Sequence, residues 1–237
     1  MSLSDRTVDL GDRSYSIAFG LLEGLGARLS EIREPGKCVL VTNPVVEGLY
    51  GEACMRSLRS AGWQPHLLRV PDGEKHKTLE TWQRLVESMV EIGVDRQTPV
   101  IALGGGVTGD VVGFAAASAL RGLPLIQVPT SLLAMVDSSV GGKTGVNLSM
   151  GKNLVGAFYQ PELVYIDVGL LDSLPEGEMR SGLGEVVKHA LIGGDAFFTR
   201  LEALVGALNA RERGALEEVV DACCEVKAQV VSEDERE

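Results

Sequence analysis

The stretch from Val100 to Asn153, VIALGGGVTGDVVGFAAASALRGLPLIQVPTSLLAMVDSSVGGKTGVNLSMGKN, gathers two glycine clusters, two lysines and two aspartates into one span. Glycine clusters let a backbone approach phosphate oxygens closely, while Asp110, Asp137, Lys143 and Lys152 are charges an apolar core does not hold without a purpose. A phosphorylated or dinucleotide ligand is the chemistry such a span serves.

Gly104, Gly106 and Gly109 satisfy G-x-G-x-x-G between a β-leaning run and a helix-like one. The acid usually found about 20 residues onward, at the end of the next strand, is missing, because Val128 is followed by Pro129, Thr130 and Ser131. This is not the ordinary Rossmann fingerprint. A helix N-terminus behind the glycines still offers free N–H groups to a pyrophosphate, and Thr130 and Ser131 add hydroxyl donors. A purely structural glycine turn explains the spacing equally well. Gly142, Lys143 and Thr144 form the tail of a Walker A loop, but the place of its first glycine falls on Asp137. An aspartate there repels a polyphosphate and can instead accept a hydrogen bond from a sugar hydroxyl. Lys143, set among Gly141, Gly142 and Gly145, reads as a ligand-facing lysine rather than a solvated one.

Two further motifs carry titratable groups. PDGEKHK, Pro71 to Lys77, taken alone is a solvated turn ahead of a helix. GEVVKH, Gly184 to His189, sets Glu185, Lys188 and His189 within about one helical turn. Glu185 and His189 could share a metal, but one carboxylate and one imidazole fall short of the three protein ligands a catalytic zinc usually takes. A surface salt bridge or cap is the plainer expectation for a lone ExxxH.

The elements that must position these groups alternate along the chain. Thr7–Leu10 and Ser14–Phe19 read as a hairpin, Leu21–Leu29 as a short helix, Cys38–Thr42 as a buried strand and Leu49–Ser60 as a helix. Pro65–Val70 is strand-like, and Thr78–Ile92 shows one apolar helical face through Trp82, Leu85, Val86, Met89 and Val90. Pro99–Leu103 and Leu125–Val128 read as strands flanking a helix over Val107–Leu120. Strands alternating with helices predict an α/β structure with a parallel sheet and ligands at the carboxyl ends of its strands. Val70, Gly104 and Pro129 mark three such ends, so their loops should converge on one cleft. The expected organisation is an α/β nucleotide-binding domain over residues 1–170, followed over 171–237 by the beginning of a mainly α-helical metal and substrate domain. The last helical run, Ala215–Ser232, ends in the charged string EDERE with no evident packing mate.

Composition narrows the partners. The balance of 22 basic against 33 acidic side chains, net charge −11, disfavours nonspecific attraction to nucleic acid or anionic membrane. No apolar run approaches the roughly 20 residues that span a bilayer, and MSLSDRTVDL is too polar for a signal peptide, so a cytoplasmic location is expected. Cys38, Cys54, Cys223 and Cys224 lack CxxC spacing and read as reduced structural thiols.

Taken in order, PDGEKHK, GGGVTGD, RGLPLIQVPTSLLAMVDSSVGGKTGVN, GKNLVGAFYQP and GEVVKHALI closely resemble the 3-dehydroquinate synthases of the sugar phosphate cyclase family, over essentially the whole chain. The resemblance implies an NAD-dependent, zinc- or cobalt-dependent homodimeric lyase that closes the ring of a seven-carbon keto sugar acid phosphate and releases phosphate. By that analogy NAD contacts fall on Asp72, Gly73, Glu74, Lys75, His76 and Lys77, on Gly106, Val107, Thr108, Gly109 and Asp110, and on Thr130 and Ser131. They continue on Lys143, Lys152 and the segment Leu170, Leu171, Asp172 and Ser173. The substrate would meet Asp137, Lys143, Asn153, Lys188 and Lys227, with Arg121 reaching into a neighbouring subunit, and Glu185 would be the first zinc ligand. The family usually has an aspartate where this chain has Asn43. Its members also continue past the point where this sequence stops, through a GHxxGH-type segment that supplies two further zinc histidines. The expectation is therefore that this polypeptide alone binds NAD weakly or in part, holds no stable catalytic zinc and lacks synthase activity. Alternative readings are a related cyclase acting on another sugar phosphate, a glycerol dehydrogenase of the same broader fold, or a noncatalytic NAD-binding module.

Overall fold

The computed structural model describes residues 3–236; the outermost positions of the two expected domains, 1–2 and 237, lie outside it. Seven strands form one sheet in the order β1-β2-β9-β6-β5-β3-β4. They are β1 (Arg6–Val8), β2 (Tyr15–Phe19), β3 (Lys37–Thr42), β4 (Gln64–Arg69), β5 (Val100–Gly104), β6 (Leu125–Pro129) and β9 (Leu163–Ile166). Every pairing is parallel except β1 with β2. A second sheet is the hairpin of β7 (Lys143–Leu148) and β8 (Gly151–Phe158).

Strand alternation divides the core in two. Cys38 and Leu40, Ile101 and Leu103, Ile126 and Val128 face one cluster, whereas Val39 and Val41, Val100 and Ala102, and Leu125 face the other. Helices α1 (Leu25–Ile32), α2 (Pro44–Val46) and α3 (Glu52–Ser60) lie with the first face, and α4 (Leu79–Ile92) and α5 (Gly106–Ser118) cover the second. With both faces covered, β5, β6 and β9 are buried along their whole lengths and, apart from Gln127, predominantly apolar, the reason those segments read as apolar runs.

The structure departs from the sequence-based expectations in three places. The helix expected from Leu49 begins at Pro44, and a π-helical turn, Glu47–Gly51, links α2 to α3. The start signal is Asn43, whose Oδ1 accepts hydrogen bonds from Val45 N and Val46 N, both at 3.0 Å, with proline at the first helical position. The hairpin β7–β8 and strand β9 were not anticipated, because their glycine-rich sequence hides the alternation. That hairpin lies directly on α5, where a Cβ on Gly113 would stand 2.4 Å from Thr144 Cγ2.

The third correction concerns the C-terminal helices α6 (Glu176–Gly193), α7 (Asp195–Asn209) and α8 (Arg213–Glu233). Far from lacking a mate, α8 buries Val219, Val220, Cys223, Cys224, Lys227 and Val231. Its apolar residues belong to the same core as β1, β6 and β9. Arg6 fastens it to β1 through a two-pronged pair with Asp221, at 2.8 and 2.7 Å. Glu235, in the charged string, pairs with Arg13. All four cysteines are free and buried, and burial pushes Cys38, Cys54 and Cys223 up to about 12 and raises Cys224 as well. No described helix is long and apolar enough to cross a membrane.

Candidate functional site

Parallel pairing brings the carboxyl ends of β3, β4, β5, β6 and β9 to one edge of the sheet, and the loops that leave them carry most of the singled-out residues. Gly104, at the end of β5, pairs in register with Pro129, at the end of β6, so the glycine loop and the Thr130–Ser131 turn are neighbours. Thr130 N donates to Gly104 O at 3.0 Å. A Cβ on Gly106 would lie 3.0 Å from Ser138 Oγ, and one on Gly105 would lie 3.3 Å from Ser131 Oγ. Two hydroxyls therefore face a loop stripped of side chains. Ser138 Oγ is buried and has no hydrogen-bond partner, a donor left for a ligand oxygen. Beyond the loop, the first turn of α5 presents its unpaired N–H groups, and these features fit a pyrophosphate.

PDGEKHK is more than a solvated turn. Lys77 is 4% exposed, and its Nζ lies against Asp110 Oδ2 on α5 and Asn153 Oδ1 on β8. Its carbonyl accepts from Asn147 N at 2.8 Å, Asn147 Oδ1 accepts from Asn153 N at 2.8 Å, and Asn147 Nδ2 donates to Glu74 at 2.9 Å. One buried ammonium thus ties together the loop after β4, the glycine helix and the hairpin. Burial raises Asp110 to about 6 despite the opposing pull of Lys77. Asn153 holds φ at +55°, in the left-handed region that asparagine tolerates better than most residues. An open cavity of about 660 Å³ lies against this network, lined among others by Glu74, Lys75, Lys77, Asn147 and Lys152.

A second wall, beside the glycine loop, is helical. After β6 the chain makes a π-helical turn, Ala134–Ser138, which presents Asp137 toward α6 and α8. Asp137 Oδ1 lies 2.9 Å from Lys227 Nζ, and Lys227 is buried. Asp137, Glu185 and His189 bring one ligand atom each within 4.8 Å of one another. His189 is 2% exposed, so it is no surface cap. Its Nδ1 meets the Glu185 carbonyl at 3.0 Å, and since a carbonyl only accepts, Nδ1 carries the proton and Nε2 keeps its lone pair. Burial lowers its pKa, favouring the neutral, ligating form. Glu185 Oε1 is buried and, although Lys188 Nζ stands against it, makes no aligned hydrogen bond. Two carboxylates and a neutral imidazole suit a divalent cation such as zinc or cobalt.

The remaining predicted residues divide by position. Leu170, Leu171, Asp172 and Ser173 lie in a 3-10 stretch, Val168–Ser173, held over the cleft edge by Tyr50, whose hydroxyl donates to Leu170 O at 2.8 Å and meets Ser173 Oγ at 2.5 Å. Lys143 opens β7, Lys152 is exposed on β8 at 3.4 Å from Glu74, and Lys188 is half exposed on α6. Asp72, Gly73, Lys75 and His76 occupy the loop after β4, and Val107, Thr108 and Gly109 the first turns of α5. Arg121 is not brought into this cleft. It follows the far end of α5, a helix of 13 residues and so about 20 Å long, and is exposed with φ at +69°. Sequence reasoning weighed His189 with Glu185 as a metal pair but preferred a surface salt bridge or cap, and it did not foresee the approach of Asp137. The i, i+4 spacing to Glu185 was visible, but the turn that delivers Asp137 has no sequence signature.

Residues 67–181 match the family model for the 3-dehydroquinate synthase N-terminal region, and residues 182–237 match that for the C-terminal region. The 3-dehydroquinate synthase of Syntrophotalea carbinolica is 48% identical over 239 residues, covering 100% of this chain and 66% of the relative. A 2-deoxy-scyllo-inosose synthase solved with carbaglucose-6-phosphate, NAD+ and Co2+ superposes with a TM-score of 0.89 at 32% identity, over 98% of this chain and 64% of that one. The 2-epi-5-epi-valiolone synthase of Streptomyces hygroscopicus, solved with NAD+ and Zn2+, gives 0.84 at 30% identity, over 97% and 64%. The chain thus spans about two thirds of the length of the proteins it matches.

Proposed function

Because this chain belongs to the 3-dehydroquinate synthase family, we propose that its cleft serves a phosphate-eliminating cyclase that uses NAD and a divalent metal. The substrate is 3-deoxy-D-arabino-heptulosonate 7-phosphate and the products are 3-dehydroquinate and phosphate. The observation that carries this reading is the convergence of Asp137, Lys227, Glu185 and His189, beside a glycine loop edged by an unpaired hydroxyl and N–H donors.

NAD, when bound, would supply reversible hydride acceptance, and a divalent metal would supply a Lewis acid for a substrate oxygen. The glycine loop, Ser131 and Ser138 would hold the pyrophosphate, and Glu185 and His189 would hold the metal, with Asp137 beside them. The chain's own residues do the rest. Lys227 engages one Asp137 oxygen at 2.9 Å and so fixes the other's direction, leaving it to accept a hydrogen bond from a ring hydroxyl and orient that hydroxyl. Lys143, Lys152 and Lys188 supply positive charge where the phosphate ester and a developing enolate must be neutralised, a local requirement in a protein of net charge −11. Asn153, held by Lys77, offers its side-chain amide to the same substrate. Arg121, remote from its own cleft, fits the expected homodimer in which it serves a neighbouring subunit.

The test is phosphate release from the heptulosonate phosphate with NAD and zinc or cobalt supplied. It is run on the chain alone and on the chain mixed with polypeptide equivalent to the remaining third of a relative. Release in the mixture that Asp137→Asn lowers by about a thousandfold supports the proposal. Release only from glucose 6-phosphate or sedoheptulose 7-phosphate moves the substrate to a sibling cyclase. Net accumulation of NADH replaces elimination with a polyol dehydrogenation.

A further inference from the structure

Only the segment Ser138 to Gly142 separates Asp137, on the helical wall, from Lys143 at the start of β7. Whatever fixes that segment decides where both side chains begin. Gly141 and Gly142 hold φ at +101° and +69°, a left-handed pair that only glycine adopts without strain. Three consecutive peptide planes here are held by partners outside the segment. Gly141 N donates to the Tyr15 hydroxyl at 3.1 Å, Gly141 O accepts from Gln160 Nε2 at 3.3 Å, and Gly142 O accepts from Tyr159 N at 2.7 Å.

Tyr15 comes from the start of β2, 126 residues away in sequence. It is 4% exposed, and burial raises its pKa, so it meets the Gly141 N–H as a neutral hydroxyl. Gln160 follows β8. Two acceptors, Gly141 O and Glu235 Oε1, face its Nε2 at 3.3 Å each, which sets the orientation of the amide, and its Oε1 is left buried without a partner. The amide also lies against the segment: a Cβ on Gly142 would stand 2.8 Å from Gln160 Cδ. Helix α8 closes another side, since a Cβ on Gly141 would stand 3.1 Å from Val231 Cγ2 and 3.7 Å from the Cε of Lys227, the lysine that engages Asp137. The glycine pair is therefore boxed in by side chains that carry no charge toward the cleft.

We propose that Tyr15 and Gln160 are positioning residues: by fixing the 140–141 and 141–142 peptide planes they set where Lys143 enters β7 and so hold its ammonium on the anionic ligand. The inference rests on the reading of Lys143 as ligand-facing in the proposed function. Neither side chain needs to touch the ligand. Two adjacent glycines have more backbone freedom than any other pair, so without these two bonds the segment has other conformations to adopt, and a displaced lysine loses its hold on the ligand.

Calorimetric titration with NAD+ tests this on the wild-type protein, on Tyr15→Phe, Gln160→Glu and Lys143→Met, and on each of the first two combined with Lys143→Met. Tyr15→Phe keeps the ring and removes the acceptor, whereas Gln160→Glu keeps the shape and removes the donor. Each should weaken NAD+ by about tenfold alone and by less than about twofold once Lys143 is methionine, because a residue acting through the lysine then has nothing left to position. A role confined to stability would lower affinity by the same factor in both backgrounds, and that result overturns the proposal. Wild-type affinity in both single variants, or in Lys143→Met, overturns it as well. Should circular dichroism show that Tyr15→Phe does not fold, Gln160→Glu, at a half-buried side chain, carries the comparison alone. If the folded wild-type protein binds no NAD+, the proposed function falls, and the positioning role with it.

Discussion

The two walls of the cleft are built by different means. The glycine wall is made by backbone: Gly104–Gly109 is one short segment running from the end of β5 into the first turn of α5, and its work is done by N–H groups and by side chains that are missing. The helical wall is made by side chains that meet only in the fold, Asp137 from a turn after β6, Glu185 and His189 from α6, and Lys227 from α8. A backbone site is specified locally and tolerates little change of size, whereas a side-chain site is specified by tertiary packing and tolerates little change of charge. Substitutions on each wall should fail in these different ways.

The largest effect is expected where the two means meet, at Lys77. Replacing it with methionine keeps the stem but leaves Asp110 without its buried cation and Asn153 Oδ1 without a donor. Breaking a buried pair from one side costs about 3–5 kcal/mol, moderated here because Asp110 can take up a proton. Denaturant unfolding of Lys77→Met should register a loss near the lower figure, and a loss under about 1 kcal/mol would show that the network is not a structural tie.

Next comes the helical wall. Glu185→Gln preserves shape and removes the charge a divalent cation needs, so cobalt affinity, followed by the metal's visible absorption, should fall by about a hundredfold or more with little change in unfolding temperature. Unchanged affinity would take Glu185 out of the ligand set and leave the comparison without its metal-bearing half.

A smaller effect follows from pH. Asp110, at about 6 in the folded state against 3.8 as the ordinary value, binds its proton more tightly folded than unfolded. The folded state then holds more protons between those values, so this group's contribution falls as pH rises from about 4 to 6 and is flat above. The difference in unfolding free energy between wild type and Asp110→Asn should fall by about 1–3 kcal/mol over that window. A rising difference would mean that Lys77, not burial, dominates the site.

The asymmetry also explains what the sequence could disclose. GGGVTGD and PDGEKHK are contiguous, and the strands around them are apolar runs of ordinary length, so the parallel α/β layers, the strand ends and the glycine cradle were all legible. The hairpin β7–β8 was not, since Gly145 and Gly156 approach each other where alternating side chains would normally announce paired strands. Nor was the metal-suited cluster, because a lone ExxxH gains meaning only when a turn 48 residues upstream of Glu185 delivers Asp137. Lys77 looked solvated for a similar reason: its two partners lie 33 and 76 residues away.

The smallest effect falls on the glycine wall and tests it most directly. Gly106 has no positive φ that alanine would strain. The space is what matters: a Cβ there would stand 3.0 Å from Ser138 Oγ, tight enough to push that hydroxyl aside and to fill the ground a pyrophosphate oxygen would occupy. Gly106→Ala should therefore unfold at nearly the wild-type temperature, since alanine is the better helix former at the start of α5. Its NAD affinity, by contrast, should drop about tenfold, close to 1.4 kcal/mol. Adding Ser138→Ala relieves the contact but removes the hydroxyl, so if the loop acts through room alone the double variant recovers NAD binding. If the hydroxyl donates to the ligand, the double variant stays weak, and the glycine wall, like the helical wall, depends on a side chain brought from elsewhere in the fold.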